Sequence, residues 1–585
     1  MQVYGDVARQ QAGAQVIARM SHDMRHAGTM APGLSRHSLL VTLLIDAGML
    51  AQGAADARLS AAGEDTVAGQ QEAMALTTAL ARCCWASWCS GYQNCGPLPF
   101  ELLARCEATL ADALLLLRVP EGYAFYAVYP ELYGEAARRC RHMAPHWQVF
   151  GLRSIGTSLA AMVAVALGAP VPRTLRPVGH PFDREIAAPP LQCVDGGAGF
   201  AVVDEGPGLS GSSMAAAGRW LQQAGVATNR LHFFPSHAGL PGPEAGTFAR
   251  TLWTSVSRQH VSFEDGVGTA LRTEHQLRRW VETLVGPLVA PLQDIGNGRW
   301  RPLQTRDKGE PPPPAHPWQE RLKYLAFSGE ATWLVKFVGL GRMGERALVR
   351  ANALGSAGFT PAPAGLRHGF LVERWRDDLG PLPSRLPRAQ RASLLTKIGD
   401  YLAFRSRSFP AAADSGASMA SLLEMTRCNA TEAFGVSAGE RCAALERSFQ
   451  HASADVVRVE TDNRMHRWEW LAGRSLLLKT DAVDHAAAHD LVGCQDIAWD
   501  MVGAEVEWGL SPAELRTVAA RAGQQGAHIN MSLIALLRPS YLAFQWAHFA
   551  MAVNAADAPE RAALVAERDR YRRALRIALE ARPGR

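Results

Sequence analysis

Residues 200–224 constrain the fold of this 585-residue chain more than any other stretch. Phe200-Ala201-Val202-Val203 is apolar without alternation. Asp204-Glu205 follow, then a loop, Gly206-Pro207-Gly208-Leu209-Ser210-Gly211-Ser212-Ser213, and a helix-patterned run over 215–224. A short strand that is apolar on both faces must be covered on both faces, as in a parallel sheet flanked by helices. The neighbouring sequence keeps the same rhythm. Residues 123–128 read as a strand, 131–139 as a helix, and 149–152 and 231–234 as further strands. This alternation predicts a parallel α/β sheet over 119–298.

The loop after Val203 has the chemistry of a phosphate cradle. Glycines let backbone N–H groups approach an anion, the serines add hydroxyl donors, and the following helix offers the positive end of its dipole. Asp204 and Glu205 suit ribose hydroxyls or, through water, Mg²⁺. No lysine follows the glycines, so this is not a Walker loop. The acidic pair precedes the glycines, so it is not the dinucleotide fingerprint either. The segment resembles the phosphoribosyl-pyrophosphate motif of type I phosphoribosyltransferases, departing from it at Gly206-Pro207-Gly208-Leu209. Upstream, Arg153-Ser154-Ile155-Gly156-Thr157-Ser158 matches that family's pyrophosphate loop, and Arg173 and Arg176 fall where it carries a mobile basic hood. The resemblance implies phosphoribosyl pyrophosphate as co-substrate, with Mg²⁺ and Arg153 stabilising departing pyrophosphate and Asp204 and Glu205 holding ribose. Gly156, Thr157, Ser158, Gly206, Gly208, Ser210, Gly211, Ser212 and Ser213 would cradle phosphates. His237 is a positional candidate for an acceptor contact, and the family's habit of pairing makes a homodimer an expectation.

A second pattern begins after a linker, 299–317, that contains Pro311-Pro312-Pro313-Pro314 and reads as polyproline II between domains. Residues 324–337 read as a hairpin, with Lys336 alone among apolar neighbours on its second strand. Glu345 opens a helical stretch nine residues later, and 369–373 read as another strand. Asp462 and Asp481 are spaced as a base and a metal-binding Asp. These features resemble the aminoglycoside-phosphotransferase and choline-kinase group. The resemblance implies ATP and Mg²⁺, with Lys336 paired to Glu345, Asp462 as base and Asp481 on metal. Glu460-Thr461 replace the group's His-Gly before the base, and Arg467 stands where a metal-binding Asn is expected. Glu469 or Asn463 would then substitute as ligand, or the lobe is a pseudokinase. For Lys336 alone, a snorkelling strand lysine is the simpler reading. Asp481, Asp484, His485, His489 and Asp490 form a further metal-capable group.

The remaining sequence bounds the answer. A net charge of +5 is nearly neutral at this length and is not the footprint of a dedicated nucleic-acid binder. No apolar run reaches membrane-helix length, the longest candidate being 159–169, and the first twenty residues have no signal-peptide core. A cytoplasmic chain with no nucleic-acid or membrane partner is expected. Cys83, Cys84, Cys89 and Cys95 lie close together, but adjacent cysteines on an apolar helix read as core rather than zinc ligands. His22, His26 and His37, with Arg25 and Arg36, read as a solvated or inter-domain face, or as a contact to anionic substrate.

The expected architecture is multidomain, α and α/β. It comprises a helical N-terminal domain (1–118), a parallel-sheet phosphoribosyltransferase-like domain (119–298) and a two-lobed kinase-like α+β domain (318–585). The expected function is bifunctional: transfer or removal of a phosphoribosyl group, and phosphorylation of a small molecule by ATP. The alternative is a nucleotide-binding regulatory protein.

Overall fold

The computed structural model describes residues 8–57, 59–60, 63–64, 69–191, 196–303, 312–316, 320–329, 331–383, 385–473 and 476–580. Parts of the linker, including Pro311, residue 330 of the expected hairpin and residues 474–475 lie outside them.

Five parallel strands form the middle sheet. They lie in the order Ser257–Arg258, Leu231–Phe234, Gly199–Val203, Trp147–Leu152, Arg173–Leu175. The apolar run at 200–203 is explained by its two covered faces. Ala201 and Val203 belong to one buried cluster with Leu159 and Val163 of the helix Gly156–Leu167. Phe200 and Val202 belong to another with Met214 and Leu221 of the helix Ser212–Gln223. A hairpin, Pro177–His180 with Asp183–Ile186, stands apart from this sheet.

The C-terminal region carries a second five-stranded sheet, in the order Gln293–Asp294, Lys323–Ser328, Ala331–Phe337, Phe370–Arg374, Pro363–Arg367, every pair antiparallel. The helix Arg342–Ser356 packs on it. A small sheet follows, built from Gly380–Pro381, Trp470–Ala472 and Leu477–Lys479, amid long helices that end with Met531–Ala555 and Ala558–Glu580.

Several expectations are corrected. Residues 123–128 are not a strand. A short helix, Glu121–Phe125, replaces it, because the N–H groups of Tyr123 and Ala124 both donate to the Pro120 carbonyl (3.1 and 3.2 Å). An apolar run of that length cannot by periodicity alone be told from a buried helical turn. The helical N-terminal part contains a strand pair, Ala8–Ala12 against Leu114–Arg118. The helix Leu34–Asp56 is long and apolar enough to cross a membrane by length and composition, although most of it is buried in the protein.

No core boundary falls at 118 or 298. One hydrophobic cluster joins Leu43 and Leu44 of the N-terminal helices, Ala201 of the parallel sheet, and Val335, Phe337 and Phe370 of the antiparallel sheet. The strand Gln293–Asp294, before the linker, is an edge of the C-terminal sheet. After it, Arg301 makes two hydrogen bonds to the Glu560 carboxylate (2.5 and 2.7 Å), fixing the linker's start to the last helix.

Candidate functional site

Two clefts collect the polar side chains that the sequence singles out. The first is a cavity of about 180 Å³ between the antiparallel sheet and the C-terminal helices. Lys336, on the strand Ala331–Phe337, reaches into it. Its ammonium is held by Asp481 and by Asp484 (3.1 Å). Burial favours the neutral amine, but these two carboxylates outweigh it and raise the lysine's pKa. Glu345, its expected partner, is elsewhere: its carboxylate pairs with Arg342 (3.2 Å) and accepts a hydrogen bond from Thr42 (3.4 Å). The pairing of Lys336 with Glu345 is therefore corrected to Asp481 and Asp484, which are delivered from a loop 145 and 148 residues further along.

Asp462 is fully buried and does not line the cavity. Its carboxylate accepts from Tyr401 Oη (2.5 Å) and His485 Nδ1 (3.1 Å) and lies 3.3 Å from Lys479 Nζ. Asp500 holds its backbone, accepting from the N–H groups of Asp462 (2.7 Å) and Asn463 (2.8 Å). In this arrangement Asp462 has no path to an acceptor hydroxyl, which corrects its expected role as base. Glu469 does line the cavity, yet its Oε2 is taken by Lys479 Nζ at 2.6 Å. Lys479, with no exposed side chain, thus places one ammonium between two carboxylates, Asp462 and Glu469.

For a nucleotide-bound Mg²⁺ the hard oxygens of Asp481 and Asp484 fit, since they lie together and Asp481 lines the cavity. His485 lies beside them, its donor atom within reach of the same ion. Burial lowers its pKa, but Asp462 and Asp481 outweigh this and push it up to about 9. Glu469, already neutralised by Lys479, fits less well than expected. Glu373, unforeseen in the sequence, also lines this cavity, and burial pushes its carboxyl up to about 7.

The second cleft lies at the carboxyl ends of two adjacent parallel strands, Trp147–Leu152 and Gly199–Val203. The chain leaves the first of these toward one edge of the sheet and returns to the second toward the other. Crevices at such a switch point are where open α/β sheets bind ligands. Both suspected loops flank it. Gly208 (φ 59°) and Gly211 (φ 62°) turn the second loop through left-handed conformations that favour glycine. The Gly206–Pro207 peptide is cis. Ser210 and Ser212 do not point into an open crevice: both hydroxyls donate to the carbonyl of Pro181 (3.4 and 2.8 Å), at the tip of the hairpin. Ser213 is half-buried in the first turn of the helix.

Asp204 and Glu205 are half-buried, and burial pushes them up to about 7 and about 8; the neighbouring carboxylates Glu121 and Asp204 add to the shift of Glu205. Arg153 donates to Asp56 (3.0 Å) and Thr174 (3.1 Å). Arg176 forms a fork to the same Asp56, one arm at 2.9 Å. Asp56 ends the helix Leu34–Asp56, so two expected pyrophosphate arginines are already paired with a residue the sequence did not flag. Arg173 is exposed, its guanidinium 5.8 Å from the Phe150 ring centre. Gly156 starts the helix, and a Cβ there would lie 2.5 Å from the Val203 carbonyl, so the two loops touch. Thr157 is buried with its hydroxyl unpartnered. Ser158 is turned away from the loop, its hydroxyl 2.9 Å from Tyr123 Oη. His237 is exposed, its Nδ1 accepting from Gly239 N (3.1 Å).

The segment 121–126 stands between the clefts. A Cβ on Gly122 would lie 2.7 Å from Glu205 Oε2. Tyr126 Oη is 2.8 Å from His489 Nε2, and the Phe125 carbonyl accepts from Arg321, which lies 3.8 Å from Asp484.

No protein-family model and no curated protein sequence matches the chain. Among solved structures, part of the chain resembles a choline kinase from Streptococcus pneumoniae at 15% identity, over 44% of this chain and 89% of that one, with a TM-score of 0.33. It also resembles a spectinomycin phosphotransferase in complex with ADP and spectinomycin (12% identity, 52% and 97% covered, TM-score 0.32). A macrolide 2′-phosphotransferase from Brachybacterium faecium is similar at 14% identity (46% and 93% covered, TM-score 0.29). These are distant likenesses to kinase-like folds over part of the chain.

Proposed function

We propose that the chain is a two-site enzyme of ribose-phosphate chemistry. The C-terminal cavity binds ATP with Mg²⁺ and transfers a phosphoryl group to a small molecule. The crevice of the parallel sheet transfers a phosphoribosyl group from phosphoribosyl pyrophosphate to an acceptor with loss of pyrophosphate, or in reverse removes it from the acceptor with uptake of pyrophosphate, through an oxocarbenium-like state. The observation that carries the reading is the convergence of Asp481 and Asp484 on Lys336, with Lys336 and Asp481 lining one cavity, a charge arrangement suited to nucleotide phosphates and one divalent ion. When bound, ATP supplies the phosphoryl group and Mg²⁺ neutralises its oxygens. Lys336 then exchanges a carboxylate for phosphate. Phosphoryl transfer leans on positioning and charge more than on a base, so the sealed Asp462 does not exclude it.

Lys479 favours a second reading. An internal ammonium between Asp462 and Glu469 occupies a place suited to a second cation, as in a domain that binds nucleotide without transferring phosphate. Calorimetric titration with ATP–Mg²⁺ and with phosphoribosyl pyrophosphate, followed by assays for ADP and pyrophosphate over metabolite pools, separates the two. Turnover lost in Lys336→Ala and Asp481→Asn supports the enzyme. Binding without turnover in any pool supports the regulator. No binding of either ligand rejects both.

A further inference from the structure

We propose that His37, Glu131 and His368 bind one transition-metal ion of the zinc class, where the N-terminal helices, the parallel-sheet region and the C-terminal sheet meet. The three residues come from distant places. His37 lies on the helix Leu34–Asp56, Glu131 on the helix Pro130–Cys140, and His368 in the tight turn before the strand Phe370–Arg374, at φ 42°. His37 and Glu131 are 0% exposed and His368 is 4% exposed. His37 Nε2 and His368 Nε2 both face Glu131 Oε1, at 2.7 and 2.9 Å.

Two observations point beyond an ordinary buried ion pair. The first is a free donor atom. Glu131 Oε2 is buried and has no hydrogen-bond partner. A buried carboxylate oxygen left unsatisfied is costly, and an ion is one of the few things that removes the cost. The second is the orientation of His368. Ser38 Oγ donates to the Leu34 carbonyl (2.9 Å), so it accepts from His368 Nδ1 at 3.1 Å. With the proton on Nδ1, the Nε2 lone pair of neutral His368 points at a carboxylate. Such a contact requires a positive centre between them, either a second proton or a metal. His37 Nδ1 is likewise fixed, 3.0 Å from Ser87 Oγ. Serine partners on both outer nitrogens are the kind of support that orients metal-bound histidines.

The donor set selects the ion. Two imidazoles and a carboxylate suit Zn²⁺ and its neighbours rather than Mg²⁺ or Ca²⁺. Bonds of about 2.0–2.2 Å at tetrahedral angles separate donor atoms by about 3.3 Å, so the two contacts need to open by roughly half an ångström. The two Nε2 atoms and one carboxylate oxygen make three donors, and the second carboxylate oxygen adds a fourth only through the narrow bite of a chelating carboxylate. Around them Tyr92, Trp280 and Tyr129 pack ring against ring with the histidines, leaving a dry shell. With no exposed route, the ion is taken up as the chain folds, so its binding energy becomes folding energy.

The test is metal analysis of the untagged full chain from zinc-supplemented culture, after gel filtration. About one zinc per folded chain is expected, and Glu131→Gln, which keeps the shape but removes the charge, should carry almost none. A folded wild-type chain with no metal after zinc incubation overturns the proposal and leaves a doubly protonated His368 to explain the contacts. Undiminished metal in a folded Glu131→Gln chain also overturns it. If that variant does not fold, cobalt decides. Wild-type chain refolded with Co²⁺ should show the visible ligand-field bands of four-coordinate cobalt, and their absence rejects the site.

Discussion

Lys479 brings one positive charge to the place where two buried carboxylates, Asp462 and Glu469, meet. Removing that charge leaves Asp462 with only Tyr401 and His485, and Glu469 with only Arg464 at 4.0 Å. Lys479→Met is expected to destabilise the chain by about 3–5 kcal/mol, read from urea unfolding, because breaking a buried pair strands its partners. A loss below about 1 kcal/mol would show that water already reaches them. Glu373 makes a different prediction. Its folded-state pKa of about 7 lies above the usual glutamate value of 4.5 because burial disfavours the charged form. For a raised pKa the favourable contribution is complete at low pH and is lost as pH rises through the folded value. Glu373→Gln should therefore match wild type below about pH 4 and be more stable by about 1–3 kcal/mol at pH 8. Nucleotide affinity in wild type should weaken over the same rise, as a second negative charge comes to face the phosphates, and stay flat in the variant. The sequence singled out Lys336, Asp481 and Asp484 but paired the lysine with Glu345. Nine residues separate it from Glu345, while Asp481 and Asp484 lie beyond the reach of local spacing and are brought in only by packing.

At the scale of elements, the helix Leu34–Asp56 does more than fill the core. Its last residue holds Arg153 and Arg176 away from any anion in the crevice. Asp56→Asn should cost about 2 kcal/mol of stability and tighten pyrophosphate binding several-fold, since the arginines no longer have a competing carboxylate. Calorimetry with pyrophosphate checks this; unchanged affinity would mean that neither arginine faces the ligand. The strand Gly199–Val203 and its glycine loop were readable because sidedness and turn chemistry are both written locally. The run at 123–128 was not, since six apolar residues fit a strand or a helical turn equally well until Pro120 accepts two N–H groups. The role of Asp56 was invisible for a similar reason: a lone carboxylate ending an apolar helix looks like a helix stop.

For the whole molecule, composition and the prolines suggested separable domains, whereas one hydrophobic cluster runs through all three regions. A fragment spanning 119–298 should stay unfolded by circular dichroism, because the helix Gly156–Leu167, which covers Ala201 and Val203, loses the N-terminal helices packed on its other side. A cooperative unfolding transition in that fragment would contradict this. The segment 121–126 has a consequence of its own. It touches Glu205 on one side and, through Tyr126, His489 on the other. If these contacts join the two sites, each ligand becomes a gauge of its neighbour. By thermodynamic necessity, whatever factor phosphoribosyl pyrophosphate applies to the affinity for ATP, ATP must apply in return. Tyr126→Phe, which breaks only the hydroxyl contact, should bring that factor toward one while leaving each separate affinity in place. A factor that survives the change would mean that the two clefts communicate through the common core instead.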